Sequence, residues 1–195
     1  MPSSSTLSPK IIAILLIPVI LLVALISAVY LFPTPIPNQM DLKVTKLDGS
    51  TLQTTSLKGK ILVVEFMATW CVNCLEISQN IANILKNNSF SNVVFLSVSI
   101  DPTHDTSTVL TNFIENNGFA KYALNSTQWY FTRDTLNQYS DFGVSVVPHT
   151  FLVNNGSIII DQHLGYLSYD QILSWITNET NVTTINNNTN TTLQI

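Results

Sequence analysis

The chain contains few charged residues and no cluster of basic ones. Lys, Arg, Asp and Glu make up 10% of its 195 residues, and the net charge at pH 7 is -4. Because proteins bind the phosphate backbone with clustered Lys and Arg side chains, this composition argues against a nucleic-acid partner. The length suits one domain of ordinary size once the segments outside a globular core are set aside.

Cysteine is also scarce, which limits the sites it can form. The chain has two cysteines, Cys71 and Cys74, in the motif W-C-V-N-C. Without a second CxxC or a closely spaced histidine pair, the sequence lacks the other half of a tetrahedral zinc site. A purely structural disulfide between them would close only a short loop and would constrain the unfolded chain little. A redox-active dithiol is the interpretation that we favour over these two.

One long apolar run stands near the N-terminus, at residues 11–32. At about 1.5 Å per residue, this run forms enough helix to cross a hydrocarbon core about 30 Å thick. We predict a transmembrane anchor (a signal-anchor), with a cleaved signal peptide as the alternative. Lys10 precedes the run, so residues 1–10 are expected in the cytoplasm and the rest of the chain outside the cell membrane.

Asn-x-Ser/Thr triplets are frequent after the apolar run. Their density indicates a glycoprotein with an exterior surface, although an Asn- and Thr-rich composition also produces such triplets by chance. The triplets begin at Asn87, Asn125, Asn155, Asn178, Asn181, Asn187 and Asn190.

Two further segments are expected to lie outside the globular domain. Residues 33–40 include PTPIP, whose prolines predict a stiff spacer. Residues 177–195 are nearly all Asn and Thr and cannot bury enough apolar surface to offset chain entropy, so we predict a disordered tail. The domain is therefore expected over residues 41–176.

Strand and helix patterns alternate within this domain and indicate an α/β fold with a mixed central sheet covered on both faces. The region 118–133 shows no clear pattern; it is either an insertion that shapes client choice or a connecting strand and loop. Strands are predicted at 42–47, 61–66, 93–100, 150–153 and 157–161, and helices at 71–86, 106–116, 136–142 and 169–176, with turns at Asp48-Gly49 and 154–156.

The CxxC motif follows a predicted buried strand and opens a predicted helix. At a helix N-terminus, unpaired N–H groups and the macrodipole stabilise a thiolate, which lowers the pKa of the first thiol below its usual value of about 8.5. Cys71 is therefore predicted to be the attacking nucleophile. Cys74, one turn further into the helix, is predicted to be more buried and to resolve the mixed disulfide.

Residues 56–74, SLKGKILVVEFMATWCVNC, resemble the thioredoxin superfamily and most closely its membrane-anchored TlpA/ResA-like thiol-disulfide oxidoreductases. The resemblance spans residues 42–176 and implies a thioredoxin fold, with the mixed sheet flanked by helices. It also implies that Val147-Pro148 is the cis-proline pair that faces the CxxC and presents backbone to a bound substrate. From the sequence alone, the expectation is an ordinary trans proline at a strand start.

Glu65 interrupts the apolar run ILVVEF, so it must be buried, exposed on an edge, or functional. The resemblance places it where thioredoxin carries a buried aspartate and implies that it accepts the proton of Cys74, with a pKa raised by desolvation. A solvated or salt-bridged glutamate is the alternative. Trp70 is expected to pack beside the dithiol and contact substrate, with core packing as the alternative.

The CxxC departs from the thioredoxin pattern. Val72-Asn73 contains no proline, and no lysine follows Cys74. Since about 30 mV corresponds to roughly 1.4 kcal/mol for a two-electron couple, such local changes are large enough to turn a reductant into an oxidant.

A second resemblance links residues 95–106, FLSVSIDPTHDT, together with residues 129–131 and His149, to the Sco/SenC copper-delivery proteins. It implies a copper site made of Cys71, Cys74 and His149, because thiolates and imidazole suit copper. That family separates its cysteines by three residues, whereas two separate them here. His104 and His163 are predicted to be surface residues.

The sequence therefore predicts a membrane-tethered, extracytoplasmic thiol-disulfide oxidoreductase that acts on protein cysteines as a reductant. The TlpA/ResA resemblance implies clients such as apocytochrome c, in cytochrome c maturation, or the copper-site cysteines of an oxidase. No cofactor is expected besides the Cys71–Cys74 disulfide. The alternative is a Sco-like copper metallochaperone for an oxidase copper site.

Overall fold

The computed structural model describes residues 18, 19, 22, 37–124 and 126–192. The chain divides into two units, Met1–Ile36 and Pro37–Ile195. The predicted cytoplasmic segment 1–10 and, apart from three helical positions, the predicted anchor 11–32 lie outside the described residues. In the described part of the chain, no helix combines the length and hydropathy needed to cross a membrane.

Seven strands form one mixed sheet in the order β2-β1-β5-β4-β3-β6-β7. Strand β3 runs parallel to β4 and antiparallel to β6, so the predicted mixed α/β sheet is confirmed. The strands are β1 (Lys43–Lys46), β2 (Thr51–Gln53), β3 (Ile61–Met67), β4 (Val93–Ser99), β5 (Trp129–Arg133), β6 (His149–Val153) and β7 (Ile159–Leu164). The helices are α1 (Val72–Asn87), α2 (Ser107–Asn116), α3 (Ala120–Ala123) and α4 (Tyr169–Thr192), with 3-10 helices at Thr54–Leu57 and Gln138–Phe142.

Strand β3 occupies the centre of the domain, and all seven of its residues are buried. Alternation along the strand sends Val63 and Met67 to one face and Val64 and Phe66 to the other. The first face packs against the buried apolar side chains of α1, α2 and α4. Together with both cysteines, these side chains form one apolar cluster. The opposite face is covered by the segment before β1 and by the second 3-10 helix, through Met40, Leu42 and Phe142.

The region 118–133, which has no clear sequence pattern, contains α3 and β5. Strand β5 pairs with β4 and with β1 and so joins the N-terminal hairpin to the sheet. Its residues Trp129 and Phe131 are buried and pack against each other at 4.8 Å between ring centroids. The region therefore contributes a connecting strand to the sheet, with the short helix α3 before it. The alternation of buried and exposed residues along the strand is hidden because Thr132 is buried as well.

The domain begins earlier than the predicted residue 41. The N–H of Met40 donates to the Ser157 carbonyl at 2.9 Å, and the N–H of Ile159 donates to the Asn38 carbonyl at 2.8 Å. Met40 is fully buried. The last residues of the predicted spacer 33–40 thus belong to the domain, because an apolar side chain there reaches the second cluster.

Helix α4 continues to Thr192, although the sequence predicts that it ends at residue 176 and that a disordered tail follows. Ile176 is the last buried apolar residue described in the helix. The prediction rested on that loss of apolar periodicity. The helix continues past it, and the Thr177 and Thr180 hydroxyls donate to carbonyls one turn earlier. Residues 193–195 lie outside the described part.

Candidate redox site

The turn from β3 into α1 places Cys71 at the N-cap of the helix. Its backbone is extended, with φ -87° and ψ 112°, and its N–H donates to the Ala68 carbonyl at 3.1 Å. The Cys71 carbonyl accepts the first bond of the helix, from the N–H of Leu75 at 3.1 Å. The predicted start of a helix at the CxxC is confirmed.

The two cysteines form a disulfide, with 5.2 Å between their Cα atoms. Cys71 is 9% exposed and Cys74 is fully buried, which is the predicted difference in burial. The N–H of Cys74 donates to Cys71 Sγ at 3.2 Å. The first sulfur therefore accepts a hydrogen bond from the opening turn of α1, where a negative charge on sulfur is stabilised once the disulfide is reduced.

The Val147-Pro148 peptide bond is cis, as the thioredoxin resemblance implies. The pair immediately precedes β6, whose first residue His149 lies opposite Phe66 near the end of β3. Since Cys71 follows the end of β3, the pair and the dithiol occupy the same edge of the sheet. Val147 is partly buried, and the carbonyl of Pro148 accepts the N–H of Gly165 at 2.8 Å.

Glu65 is fully buried in the middle of β3. It lies between Ser97 of β4 and Thr150 of β6, and alternation places it on the same face as Val63 and Met67, which share a cluster with the cysteines. Burial raises the pKa of Glu65 to about 8, and the hydrogen bond from Ser97 only partly opposes this. The alternative of a solvated glutamate is excluded.

A short chain of hydrogen bonds leads to Glu65. The indole N–H of Trp129 donates to Ser97 Oγ at 3.1 Å, and Ser97 Oγ donates to Glu65 Oε2 at 3.3 Å. Neither Glu65 Oε1 nor the nearby Thr150 Oγ1 has a hydrogen-bond partner among the residues that the structure describes. The roles of Ser97 and Trp129 are not evident from the sequence, in which the one signal is a serine inside the otherwise apolar run VVFLSVS.

Trp70 lies beside the dithiol and is 58% exposed, so the core-packing alternative is wrong. Its indole N–H donates to Asp101 Oδ2 at 3.1 Å, which holds the ring although most of it faces solvent. Asp101, a further residue that sequence analysis did not single out, precedes Pro102 in the loop between β4 and α2. Val72, the first residue of α1, is 71% exposed.

The structure does not bring His149 together with the cysteines. Its ring stacks on Phe151 at 4.6 Å and lies in the register opposite Phe66. Both phenylalanines belong to the cluster on the sheet face away from the cysteines. Across the described residues, no group of three or more His, Cys, Asp or Glu side chains is arranged to hold a metal ion.

The other two histidines lie at the surface, as predicted. The side chain of His104 is 56% exposed and contacts Asp105. His163 contacts the Tyr166 carbonyl at 3.0 Å through a bond that is open to solvent. Neither residue belongs to a group of three or more His, Cys, Asp or Glu side chains that could hold a metal ion in the described part.

Comparison with known proteins agrees with this architecture. A thioredoxin from Ictalurus punctatus is 32% identical over 68 residues, which is 35% of this chain and 64% of that protein, so the match spans less than two thirds of its length. StoA from Bacillus subtilis superposes with a TM-score of 0.58 at 16% identity, covering 73% of this chain and 99% of StoA. Copper-bound ScoI from Arabidopsis thaliana superposes with a TM-score of 0.59 at 15% identity, covering 74% and 99%.

The structural likenesses, at such low identity, establish the fold alone. Membership is decided by the family model for the thioredoxin-like domain, which matches residues 49–179. That match includes β3, the CxxC turn, the cis-proline pair and most of the sheet. The chain belongs to the thioredoxin-like domain family.

Proposed function

We propose that this protein is a thiol-disulfide oxidoreductase that reduces disulfides of client proteins through Cys71 and Cys74. The observation that carries the proposal is the unequal placement of the two sulfurs. Cys71 is at the helix N-cap and accepts the Cys74 N–H, whereas Cys74 is fully buried on the sheet face that carries Glu65. One sulfur is thus suited to attack from solvent and the other to react only with its neighbour.

The proposed cycle begins with the reduced dithiol. The Cys71 thiolate attacks one sulfur of a client disulfide, forms a mixed disulfide, and releases the other client sulfur as a thiolate. Cys74 then loses its proton to Glu65 and attacks Cys71 Sγ. The mixed disulfide breaks, the second client sulfur leaves as a thiolate, and the Cys71–Cys74 disulfide forms, so that two electrons pass to the client. An external dithiol then reduces the Cys71–Cys74 disulfide and restores the starting state.

Glu65 is suited to the proton step by its environment. A group transfers protons best near the working pH, and burial brings the pKa of Glu65 to about 8. Around neutral pH its neutral and charged forms are both populated. It can therefore accept the Cys74 proton during resolution and release it again before the next turnover.

Client proteins are expected to bind along the edge that carries the dithiol. Apolar side chains are exposed around it, with Trp70 at 58%, Val72 at 71% and Val146 at 52%. Apolar surface of this kind favours association with unfolded or extended protein segments. In the proposal such a segment lies beside Val147 and Pro148, as the family resemblance implies.

The reducing direction, the clients and the membrane location are proposals that rest on the TlpA/ResA resemblance and on the apolar run 11–32. Apocytochrome c and oxidase copper-site cysteines are the proposed clients, outside the cell membrane. A Sco-like copper carrier is less well supported, because His149 lies on the sheet face opposite the cysteines.

The nucleophile assignment is tested with the full-length protein in an insulin-reduction assay. We expect Cys71→Ser to abolish turnover, and Cys74→Ser to accumulate a mixed disulfide that is visible on a non-reducing gel. Asn83→Ala, an exposed change on α1, serves as the matched control and should retain full activity. Turnover by the Cys71→Ser variant would refute the proposed function.

The direction is tested by titration of the dithiol in glutathione or dithiothreitol buffers. A reduction potential near that of thioredoxin, about -270 mV, supports the reducing role. A potential near that of the oxidant DsbA, about -120 mV, would contradict it.

A further inference from the structure

The turn that carries Cys71 is held from outside the CxxC motif by one buried carboxylate. Asp105 is fully buried in the loop between β4 and α2. Its Oδ2 accepts the backbone N–H of Thr69 at 3.0 Å and the Ser99 hydroxyl at 2.6 Å, and its Oδ1 accepts the Thr69 hydroxyl at 2.5 Å. Thr69 is two residues before Cys71, so Asp105 holds the chain immediately ahead of the nucleophile.

Asp105 is itself fixed at two places. Ser99 is the last residue of β4 and pairs with Met67 at the end of β3. Thr106, next to Asp105, caps α2 by accepting the N–H of Val109 at 3.3 Å. The carboxylate is therefore anchored to a strand end and to a helix start, and the Thr69 turn has little freedom to move relative to either.

We propose that Asp105 is a positioning residue that fixes the Thr69–Cys71 turn, and with it the place of Cys71 Sγ at the N-terminus of α1. This inference rests on the proposed function, since it concerns the reactivity of the same nucleophile. Asp105 does not touch the dithiol. It acts through Thr69, whose backbone and side chain it binds together.

A leucine cannot replace this carboxylate, although it has a similar shape. Both carboxylate oxygens accept hydrogen bonds in the structure, whereas an apolar side chain offers no acceptor. The Thr69 N–H, the Thr69 hydroxyl and the Ser99 hydroxyl would all lose their partner. We therefore expect Asp105→Leu to displace the turn.

Two ionisable groups of the same loop, His104 and Asp101, interact with each other beside Asp105. His104 Nδ1 is 2.8 Å from Asp105 Oδ1, and this contact raises the pKa of His104. The negative charge of Asp101 also raises the pKa of His104, and Asp101 Oδ2 accepts the Trp70 indole N–H. Replacing Asp105 can change the pKa of the Cys71 thiol in two opposite ways. Loss of the nearby negative charge alone would lower this pKa, whereas displacement of Cys71 from the helix N-terminus would raise it.

Asp134 provides a matched control. It is also fully buried, at the end of β5, and accepts the N–H groups of Leu136 at 3.2 Å and Tyr139 at 2.7 Å. None of the hydrogen bonds described for its side chain reaches the Thr69–Cys71 turn. Its replacement by leucine should lower the free energy of unfolding comparably without changing the nucleophile.

The test is the rate of Cys71 alkylation by iodoacetamide as a function of pH, in full-length protein that carries Cys74→Ser. We expect Asp105→Leu to lower the rate at pH 7 about 3- to 10-fold and to move the midpoint of the pH profile upward. Thr69→Val should shift it in the same direction by less, because the backbone bond remains. Asp134→Leu should leave the profile unchanged.

An unchanged or downward-shifted midpoint in Asp105→Leu would overturn the inference. If that variant does not fold, Thr69→Val decides, and an unshifted profile there has the same meaning. Alkylation requires no client protein. A wild type that fails to reduce insulin, together with an upward-shifted Asp105→Leu profile, would therefore refute the proposed function and leave the positioning role standing.

Discussion

Glu65 is an acid in the centre of the sheet, and its burial has a measurable effect on stability. In the unfolded chain it ionises near 4.5, and in the folded protein its pKa is about 8. Between these values the folded state binds more protons than the unfolded state, so the free energy of unfolding decreases as the pH rises. The direction is opposite to that of a salt-bridged carboxylate.

We expect the wild-type protein to lose up to about 5 kcal/mol of stability between pH 4.5 and pH 8 through this one group. Glu65→Gln should remove that decrease, whereas the exposed Glu76→Gln should follow the wild type. Urea unfolding of the oxidised proteins at pH 5 and pH 8 measures the difference. If the free energy of unfolding changed equally between pH 5 and pH 8 in Glu65→Gln and the wild type, Glu65 would have an ordinary pKa in the folded protein.

The same substitution separates the two chemical steps. Glu65→Gln should leave the attack of Cys71 on a client unchanged, because that step needs no proton acceptor at Cys74. Resolution of the mixed disulfide should slow by about 100-fold, the usual contribution of a general base. Rapid-quench analysis on non-reducing gels follows both steps, and slowing of the first step alone would argue against the assigned role.

At the residue scale, the sequence predicts the reactive residues better than the residues that hydrogen-bond to them and hold them in place. The dithiol, Glu65 and the proline pair lie in recognisable motifs, and burial of Glu65 follows from the apolar run around it. Ser97, on β4, donates to Glu65, and Asp105, in the loop after β4, accepts from Thr69 beside the dithiol. In each of these hydrogen bonds the two residues are more than 30 positions apart in the sequence. Such pairings become visible only when the strand register is known.

Among the secondary-structure elements, α1 carries the nucleophile and is held by one apolar face. Ile77, Ile81 and Ile84 are buried, while Asn83 is exposed. The helix therefore depends on packing against the sheet for most of its stability.

We expect Ile81→Ala to lower the free energy of unfolding by about 2–5 kcal/mol, as large-to-small changes in cores do. Asn83→Ala should change it by less than about 0.5 kcal/mol. Chemical denaturation of both variants measures the effect. Insulin-reduction activity per folded molecule should remain at the wild-type level, and a loss of activity without a loss of stability would indicate a role beyond packing.

Elements with a strong period were predicted well. Strand β3 and helices α1 and α2 agree with the sequence prediction to within about two residues, because each has a clear apolar run or stripe. Strand β5 is not predicted from the sequence, because it is short and lacks a clear alternation of apolar and polar residues. Its polar Thr132 is buried on a sheet that is covered on both faces. The end of α4 differs because backbone hydrogen bonding continues after the apolar contacts end.

For the whole molecule, the apolar run 11–32 remains a prediction, because it lies largely outside the described residues. We expect the full-length protein to remain in the membrane fraction after alkaline carbonate washing, and a variant without residues 11–32 to appear in the supernatant. N-terminal sequencing of the mature protein distinguishes a retained anchor from a cleaved signal peptide. Release of the full-length, uncleaved protein by carbonate would refute the anchor.

The bond from Trp129 to Ser97 directs where Glu65 takes up a proton. An indole nitrogen can only donate, so the Ser97 hydroxyl accepts from Trp129 and donates its single hydrogen to Oε2 of the Glu65 carboxylate. Oε1 has no hydrogen-bond partner among the described residues, so a proton that arrives while the Ser97 bond is intact adds to Oε1. Oε2 is then the carbonyl oxygen, and a vibrational spectrum of the neutral acid should show a hydrogen-bonded C=O band that Ser97→Ala shifts to higher frequency.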